Sequence, residues 1–253
     1  MTIKVRQKKI LQQIQKAGYV GIEELVEQFT VSAQTIRGDL NQLADQGLLV
    51  RQHGGASVAS SVFNSNYIDR RNDFSKEKDA IARKIAELMP DRSSVFLTPG
   101  TTMLAVARAL IKRTDLKIIT NNVEAAQILV QQERFDVILI GGHLEARNMG
   151  VSGTTALNAV REYRADYCIF SAGGIDTRGE LLEYHESEAA VVKAMLECSR
   201  KSVLAVDHSK FGRLASVRIG SLHEITTLVT DKKLPANIDK VLKNSALTVI
   251  TAK

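Results

Sequence analysis

The sequence contains no tryptophan, and aromatic residues make up only 5% of it. A platform on which single-stranded nucleic acid stacks is built from aromatic side chains, so we do not expect that function. The three prolines, 16 glycines and 44% hydrophobic residues exclude a disordered or low-complexity chain. We expect a globular protein of 253 residues with an aliphatic core, divided into one large or two modest domains.

Cysteine is almost absent, since only Cys168 and Cys198 occur. Two cysteines make no disulfide framework, which favours a reducing cytoplasm. No run approaches the ~18 apolar residues of a membrane-spanning helix, and the basic start of the chain is not followed by the apolar stretch of a signal peptide. The histidines show no paired ligand spacing, so we expect neither a metal site nor a cofactor.

Residues 1–57 have the pattern of a winged helix-turn-helix domain. The predicted elements are a helix that contains Ile10 and Ile14, helices at Ile22–Phe29 and Ala33–Gln46, and a hairpin of strands 48–53 and 56–58. Ser32 is suited to cap the third helix, because its hydroxyl can accept a hydrogen bond from a free backbone N–H of the first turn.

In such a domain, the first residues of the third helix enter the major groove of DNA. The residues expected to contact double-stranded operator DNA are Ser32, Ala33, Gln34, Thr35, Arg37 and Asn41 on the helix and Arg51 and His53 on the wing. Glutamine can pair with adenine, and alanine or threonine can contact the thymine methyl group. Seven basic and five acidic residues up to position 57 leave a charge of only +2, so we expect a dimer or tetramer that binds repeated half-sites. A winged helix used for protein contacts is the alternative.

The chain resembles the helix-turn-helix signature of the DeoR family of bacterial repressors, in the runs Arg6-x3-Ile10-x3-Ile14 and Ser32-x2-Thr35-Ile36-Arg37-x-Asp39-Leu40. Gly38 departs from this signature, because the family usually has arginine or lysine there. Glycine costs a helix about 1 kcal/mol relative to alanine, and a charge suited to phosphate contact is lost. The resemblance therefore implies weaker DNA binding than is usual in the family.

A polar linker is predicted at 58–75, and residues 76–253 then alternate between short apolar runs and helical stretches. Strands are predicted at Ser94–Thr98, Leu116–Thr120, Phe135–Ile140, Tyr167–Ala172, Ser202–Val206, Ile225–Thr230 and Leu247–Ile250. Helices are predicted at Thr102–Ile111, Val123–Gln131, Glu186–Cys198 and Ala236–Leu242. Apolar strands separated by helices indicate an α/β fold with a parallel sheet covered on both faces.

Glycine and polar residues follow the strand ends, where open parallel sheets bind their ligands. The candidate ligand-binding residues are Gly100, Thr101, Thr102, Thr120, Asn121, Gly141, Gly142, Gly173, Gly174, Asp176, Glu183, Asp207 and Lys210. The Gly100-Thr101-Thr102 turn opens a helix and can offer backbone N–H groups to a phosphate, although an ordinary strand-to-helix turn explains it equally well. Lys210 can contact phosphate, and the three carboxylates can bind hydroxyl groups.

These clusters, in this order, resemble the sugar-phosphate-sensing domain of the DeoR family over about residues 76–240. The resemblance implies a fold similar to ribose-5-phosphate isomerase and a repressor that a phosphorylated polyol or sugar releases from DNA. The runs at 51–56 and 207–213 favour glycerol 3-phosphate as effector and glycerol catabolic genes as targets. Thr98 and Pro99 replace a segment where the family usually has aspartate, which leaves fructose 1-phosphate or another sugar phosphate as alternatives. An isomerase-like enzyme with an added DNA-binding domain is the alternative function.

Overall fold

The computed structural model describes residues 3–17, 19–45, 48–52, 54–58 and 67–252. The amino-terminal elements are α1 (Ile3–Ala17), β1 (Tyr19–Gly21), α2 (Ile22–Phe29), α3 (Ala33–Asp45), β2 (Leu49–Gln52) and β3 (Gly55–Val58). The strands form an antiparallel sheet in the order β1-β3-β2. The winged helix-turn-helix predicted from the sequence is confirmed, and β1 is a strand that the sequence pattern did not predict.

The three amino-terminal helices enclose a core of their own. Ile10 and Ile14 from α1, Leu25 from α2, and Ile36 and Leu40 from α3 are all buried in it. Each buried leucine or isoleucine side chain stabilises the fold by about 1.5–3 kcal/mol. This core is separate from the two cores that lie on the faces of the larger sheet.

A buried ion pair holds α1 against α3. Arg6 and Asp39 are only 7% and 4% exposed, and the Arg6 guanidinium donates to the Asp39 carboxylate. Gln7 also donates to Asp39, at 3.3 Å. A charge buried without its partner is strongly unfavourable. The packing of α1 on α3 therefore requires an arginine at position 6 together with an aspartate at position 39.

The rest of the chain forms a three-layer α/β unit. Its helices are α4 (Tyr67–Asn72), α5 (Ser75–Leu88), α6 (Thr101–Leu110), α7 (Val123–Leu129), α8 (Gly153–Arg161), α9 (Glu186–Glu197) and α10 (Ala236–Val241). Its strands are β4 (Ser94–Leu97), β5 (Lys117–Thr120), β6 (Asp136–Leu139), β7 (His143–Glu145), β8 (Gly150–Ser152), β9 (Ala165–Phe170), β10 (Gly174–Ile175), β11 (Glu180–Glu183), β12 (Ser199–Ala205), β13 (Val217–Ser221), β14 (Thr227–Thr230) and β15 (Thr248–Thr251).

Seven strands form one parallel sheet in the order β15-β14-β12-β9-β4-β5-β6. All seven were predicted from the sequence, and the α/β fold class is confirmed. Along β4, Val95 and Leu97 pack into the core with α5 and α6, whereas Phe96 packs into the opposite core with α8 and α9. This alternation explains why successive residues of β4 are apolar, since both faces of the sheet are covered.

The strand order places the switch point of the sheet between β4 and β9. The chain passes from β4 through β5 to β6 at one edge, then returns to β9 beside β4 and continues to β15 at the other edge. In open parallel sheets, the crevice beyond the carboxyl ends of the strands at such a point is the usual ligand site.

Several elements were missed by the sequence analysis. Helix α4 lies inside the predicted linker, residues 59–66 of which fall outside the described part of the chain, and α5 and α8 were not predicted. The β7–β8 hairpin and the small antiparallel sheet β10-β11-β13 were also missed, because their short strands lack the apolar runs that marked the strands of the parallel sheet. Among the described residues, no helix has the length and apolar character needed to cross a membrane.

Candidate functional site

The predicted DNA-contacting residues of α3 lie on one exposed helix face. Gln34, Arg37 and Asn41 are exposed, and Gly38 lies among them, because residues three, four and seven apart share a helix face. Ser32 caps the helix as predicted, and its hydroxyl accepts from the Thr35 N–H at 3.2 Å. Ser32 and Thr35 also share a hydrogen bond of 2.9 Å between their hydroxyls, while Ala33 is partly buried.

The wing presents Arg51, whose guanidinium donates to the Gly55 carbonyl at 2.8 Å. Burial lowers the pKa of Arg51, and the charge of Asp73 opposes that shift. Leu49, Val50 and Arg51 line a cavity together with residues of the larger unit, so the wing faces that unit. His53, the other predicted wing contact, lies outside the described residues.

A cavity of about 1070 Å³ lies between the carboxyl ends of β4, β9 and β12 on one side and residues of α3 and β2, among them Asn41 and Arg51, on the other. Seven of the predicted ligand-binding residues line it, namely Gly100, Thr101, Thr102, Gly173, Glu183, Asp207 and Lys210. These residues follow different strands, and the switch point brings them together.

One wall of the cavity is the beginning of α6. Gly100 has φ 127°, a backbone conformation that side-chain-bearing residues rarely adopt, and α6 begins at Thr101 without a side-chain cap from the described residues. The first-turn N–H groups of a helix lack partners within the helix and favour an anion. The turn therefore offers an anion-binding helix end next to the threonine hydroxyls.

Of the eight lysines and arginines that line the cavity, four lie close enough for their charges to interact: Arg70 from α4, Lys78 from α5, and Lys210 and Arg213 from the segment after β12. Burial lowers the pKa of Lys210, and the positive charges of Arg213, Arg70 and Lys78 lower it further. The negative charge of Asp207 raises the pKa of Lys210 and partly opposes these effects. Clustered positive charges repel each other, so an anion among them would be strongly favoured.

Backbone and aromatic groups hold two of these cations. The Lys78 ammonium donates to the carbonyl of Asp73 at 2.6 Å and to that of Arg70. The Arg213 guanidinium donates to the Tyr184 hydroxyl at 2.8 Å and lies over its ring, 5.6 Å from the centroid. Among the described residues, no carboxylate lies within 4.0 Å of the Lys210 ammonium.

Carboxylates occupy another part of the wall. Burial and the nearby Glu188 raise the pKa of Glu183, which accepts a hydrogen bond from the Tyr184 N–H at 3.0 Å. Glu188 pairs with Arg147 at 2.6 Å. Asp207 is 1% exposed and accepts from the Ser209 N–H at 3.0 Å, which fixes the turn that carries Lys210. Glu183 and Glu188 can thus accept hydrogen bonds from hydroxyl groups of a ligand.

The remaining predicted residues do not line this cavity. Thr120 donates to the Leu97 carbonyl at 2.6 Å, Asn121 donates to the Val151 carbonyl at 2.8 Å, and Asp176 accepts from the N–H groups of Arg178 and Glu180 at 2.8 and 2.9 Å. A Cβ on Gly142 would meet the Ser152 carbonyl at 2.8 Å, one on Gly174 would meet the Arg213 carbonyl at 2.1 Å, and one on Gly141 would meet nothing within 4 Å.

Several cavity residues were missed, among them the basic residues Arg70, Lys78, Arg147 and Arg213. Arg70 and Lys78 flank the end of the predicted linker, and Arg213 closes the run at 207–213 that carried the resemblance. The basic pair at 70–71 in an otherwise polar stretch was the available signal for Arg70. Thr98, at the expected aspartate position, is buried and donates its N–H to the Ile169 carbonyl at 3.2 Å.

Two family models match the chain. The DeoR-like helix-turn-helix domain matches residues 6–62, and the DeoR C terminal sensor domain matches residues 73–232. The chain belongs to the DeoR family. Residues 63–72, which include all of α4, lie between the two matched ranges.

Relatives of this DeoR-family chain are similar along nearly its whole length. The glycerol-3-phosphate regulon repressor of Escherichia coli (strain K12) is 44% identical over 94% of each chain. The HTH-type transcriptional repressor CsqR of the same organism is 41% identical, over 97% of this chain and 94% of that one. The glycerol-3-phosphate regulon repressor of Haemophilus influenzae is 42% identical, over 97% and 96%. This DeoR-family protein is a DNA-binding transcriptional regulator and not an enzyme.

Two solved structures are similar to parts of this chain. The eIF2B delta structure from Chaetomium thermophilum is 13% identical, with a TM-score of 0.50 over 81% of this chain and 65% of that one. Ribose 5-phosphate isomerase A from Methanocaldococcus jannaschii is 18% identical, with a TM-score of 0.41 over 55% of each chain. These similarities concern the fold alone.

Proposed function

We propose that this protein binds operator DNA as a homo-oligomer in the cytoplasm and represses transcription until glycerol 3-phosphate occupies the cavity. Residues 1–57 would contact DNA, residues 58–75 would link the domains, and residues 76–253 would bind the effector and form the oligomer. The names of two relatives, each a glycerol-3-phosphate regulon repressor, support this effector.

The cation cluster beside the α6 amino terminus is the observation that carries the proposal. Lys210 and Arg213 lie in the same cavity as the Gly100-Thr101-Thr102 turn. A phosphate there would accept hydrogen bonds from backbone N–H groups and from charged donors, which are stronger than neutral ones. Its charge would also oppose the effects of burial and of the neighbouring cations, which lower the pKa of Lys210.

The carboxylate wall supports a polyol on the other side of the phosphate. Glu183 and Glu188 can accept hydrogen bonds from hydroxyl groups, and Arg147 holds Glu188 in place. A hydroxyl that pairs with a buried carboxylate gives strong discrimination, because an analogue without it leaves that carboxylate unsatisfied. The volume of the cavity also admits hexose phosphates, so fructose 1-phosphate is the competing effector.

Fluorescence anisotropy tests this proposal. The full-length protein is bound to DNA from upstream of its own gene and neighbouring genes, and glycerol 3-phosphate, fructose 1-phosphate and other sugar phosphates are titrated into the complex. We expect glycerol 3-phosphate to release the DNA at the lowest concentration. Release by a different phosphate alone would reassign the effector, and absence of DNA binding at low salt would contradict the operator role.

A pair of lysine variants makes the test specific to the cavity. Lys210→Ala should raise the effector concentration needed for release at least about tenfold, because a charged hydrogen bond to phosphate is lost. Lys201→Ala is the matched control, since Lys201 is an exposed residue at the amino end of β12. Equal responses of the two variants would contradict a phosphate site at Lys210.

A further inference from the structure

Helix α4 belongs to neither matched domain, yet it forms part of the cavity wall. It begins nine positions after β3 ends and lies directly before α5. Arg70, in the middle of this helix, lines the cavity together with Lys210 and Arg213. A residue of the connecting segment therefore faces the same space as the sensor domain's own cations.

Side-chain contacts hold α4 against the sensor unit on both sides of Arg70. The Tyr67 hydroxyl donates to Glu124 of α7, and Arg71 pairs with the same carboxylate at 3.3 Å. The Arg70 guanidinium donates to the Arg147 carbonyl, at the tip of the β7–β8 hairpin, at 2.9 Å and lies over the Tyr67 ring, 5.5 Å from its centroid. A displacement of the Arg70 side chain would therefore alter the contacts that hold the whole helix against the sensor unit.

The charges around Arg70 are those of the cavity. Burial lowers the pKa of Arg70 most, Glu183 and Glu188 raise it, and Arg213 lowers it. Arg70 is thus poised between carboxylates that attract it and cations that repel it. A phosphate near Lys210 and Arg213 would neutralise the positive charges that repel Arg70. The Arg70 guanidinium would then be attracted to the interior of the cavity.

We propose that Arg70 binds the effector phosphate together with Lys210, and that α4 thereby transmits occupancy of the cavity to the helix-turn-helix domain. The inference rests on the proposed function, since it requires a phosphorylated effector in this cavity. An effector changes DNA affinity only if it binds the DNA-competent and DNA-incompetent arrangements unequally. Arg51 of the wing lines the same cavity as Arg70 and Lys210, so a ligand bound by Arg70 lies beside the helix-turn-helix domain.

The experiment compares Arg70→Gln with Arg92→Gln in the full-length protein. Arg92 lies just before β4, at the amino ends of the strands and thus on the side of the sheet away from the cavity, and its side chain is 85% exposed. Both variants remove one positive charge. The dissociation constant of glycerol 3-phosphate is measured by calorimetry without DNA, and the operator dissociation constant is measured by anisotropy with and without saturating effector.

We expect Arg70→Gln to weaken glycerol 3-phosphate binding about tenfold, as the loss of one charge-assisted hydrogen bond requires. We also expect the ratio of operator dissociation constants, with and without saturating effector, to fall toward one. Arg70→Lys, which keeps the charge, should restore most of the effector affinity. Arg92→Gln should match the wild type in both measurements.

Each contrary result has a distinct meaning. If Arg70→Gln binds and responds to glycerol 3-phosphate as the wild type does, the inference is wrong and the proposed function stands. If its effector affinity falls but the ratio at saturation is unchanged, transmission through α4 is refuted. If no sugar phosphate releases the wild type from DNA, the proposed function fails and the inference with it.

Discussion

Gly38 offers a direct test of how the recognition helix contacts DNA. It lies in the middle of α3 on the exposed face, and a Cβ placed on it would meet nothing within 4 Å. Gly38→Ala should therefore stabilise the helix by about 1 kcal/mol without any new contact. For a domain of this size, that gain corresponds to a rise of roughly 4–8 °C in the melting temperature.

Gly38→Arg should add a phosphate contact to the same gain in helix stability. Each phosphate contact steepens the dependence of log affinity on log salt by about 0.9. Between 50 and 200 mM salt, the arginine variant should thus lose roughly 3.5-fold more affinity per recognition helix than the alanine variant. Operator binding is measured by anisotropy at four or more salt concentrations.

The alanine variant separates the two effects of the arginine substitution. Tighter binding by Gly38→Arg with the salt slope of Gly38→Ala would mean that helix stability alone is responsible. Equal affinity and equal slope in all three proteins would refute the reasoning, because neither the flexibility of glycine nor the missing charge would then limit DNA binding.

Three further predictions concern stability. Arg6→Ala should destabilise the amino-terminal domain by about 3–5 kcal/mol, because Asp39 is left buried and unpaired; operator binding should be lost while effector binding persists, and intact operator binding would contradict this. The hydrogen bond to Asp231 raises the pKa of His208 above its ordinary value of 6.5. The stability that this pair contributes to the folded protein should therefore be complete below pH 6.5 and decline as the pH rises. A melting-temperature difference between wild type and H208N that grows toward alkaline pH would contradict this prediction. Gly174→Ala should cost about 1–3 kcal/mol by overpacking, whereas Gly141→Ala should stay within about 0.5 kcal/mol, and equal unfolding curves in urea would contradict the packing argument.

The sequence was most informative where burial dictates residue type. The last three residues of strands such as β4 and β9 are buried between two helical layers, so they are apolar and the run is visible without knowledge of its partners. Helix α8 and the β7–β8 hairpin lie at the edge of the structure, where partial exposure removes that pattern. Domain order and fold class could therefore be predicted, and short surface elements could not.

The candidate site was predicted only in part, for a geometric reason. The rule that ligands bind beyond strand ends selects a backbone position, but the direction of each side chain depends on its local hydrogen bonds. Thr120 ends β5 and Asp176 follows β10, yet their side chains bond to nearby backbone groups instead of lining the cavity. Arg70 is the reverse case, since no strand precedes it and only the tertiary fold brings it to the cavity.

The separate core of the amino-terminal helices has a consequence during protein synthesis. Residues 10–56 complete that core by themselves, whereas the cavity needs Lys210, far along the chain. At about 5–20 residues per second, the ribosome adds the intervening residues in roughly 8–30 s. Each newly made molecule therefore has a folded DNA-contacting unit well before it has a sensor, so the capacity to bind the operator is acquired before the capacity to be released from it.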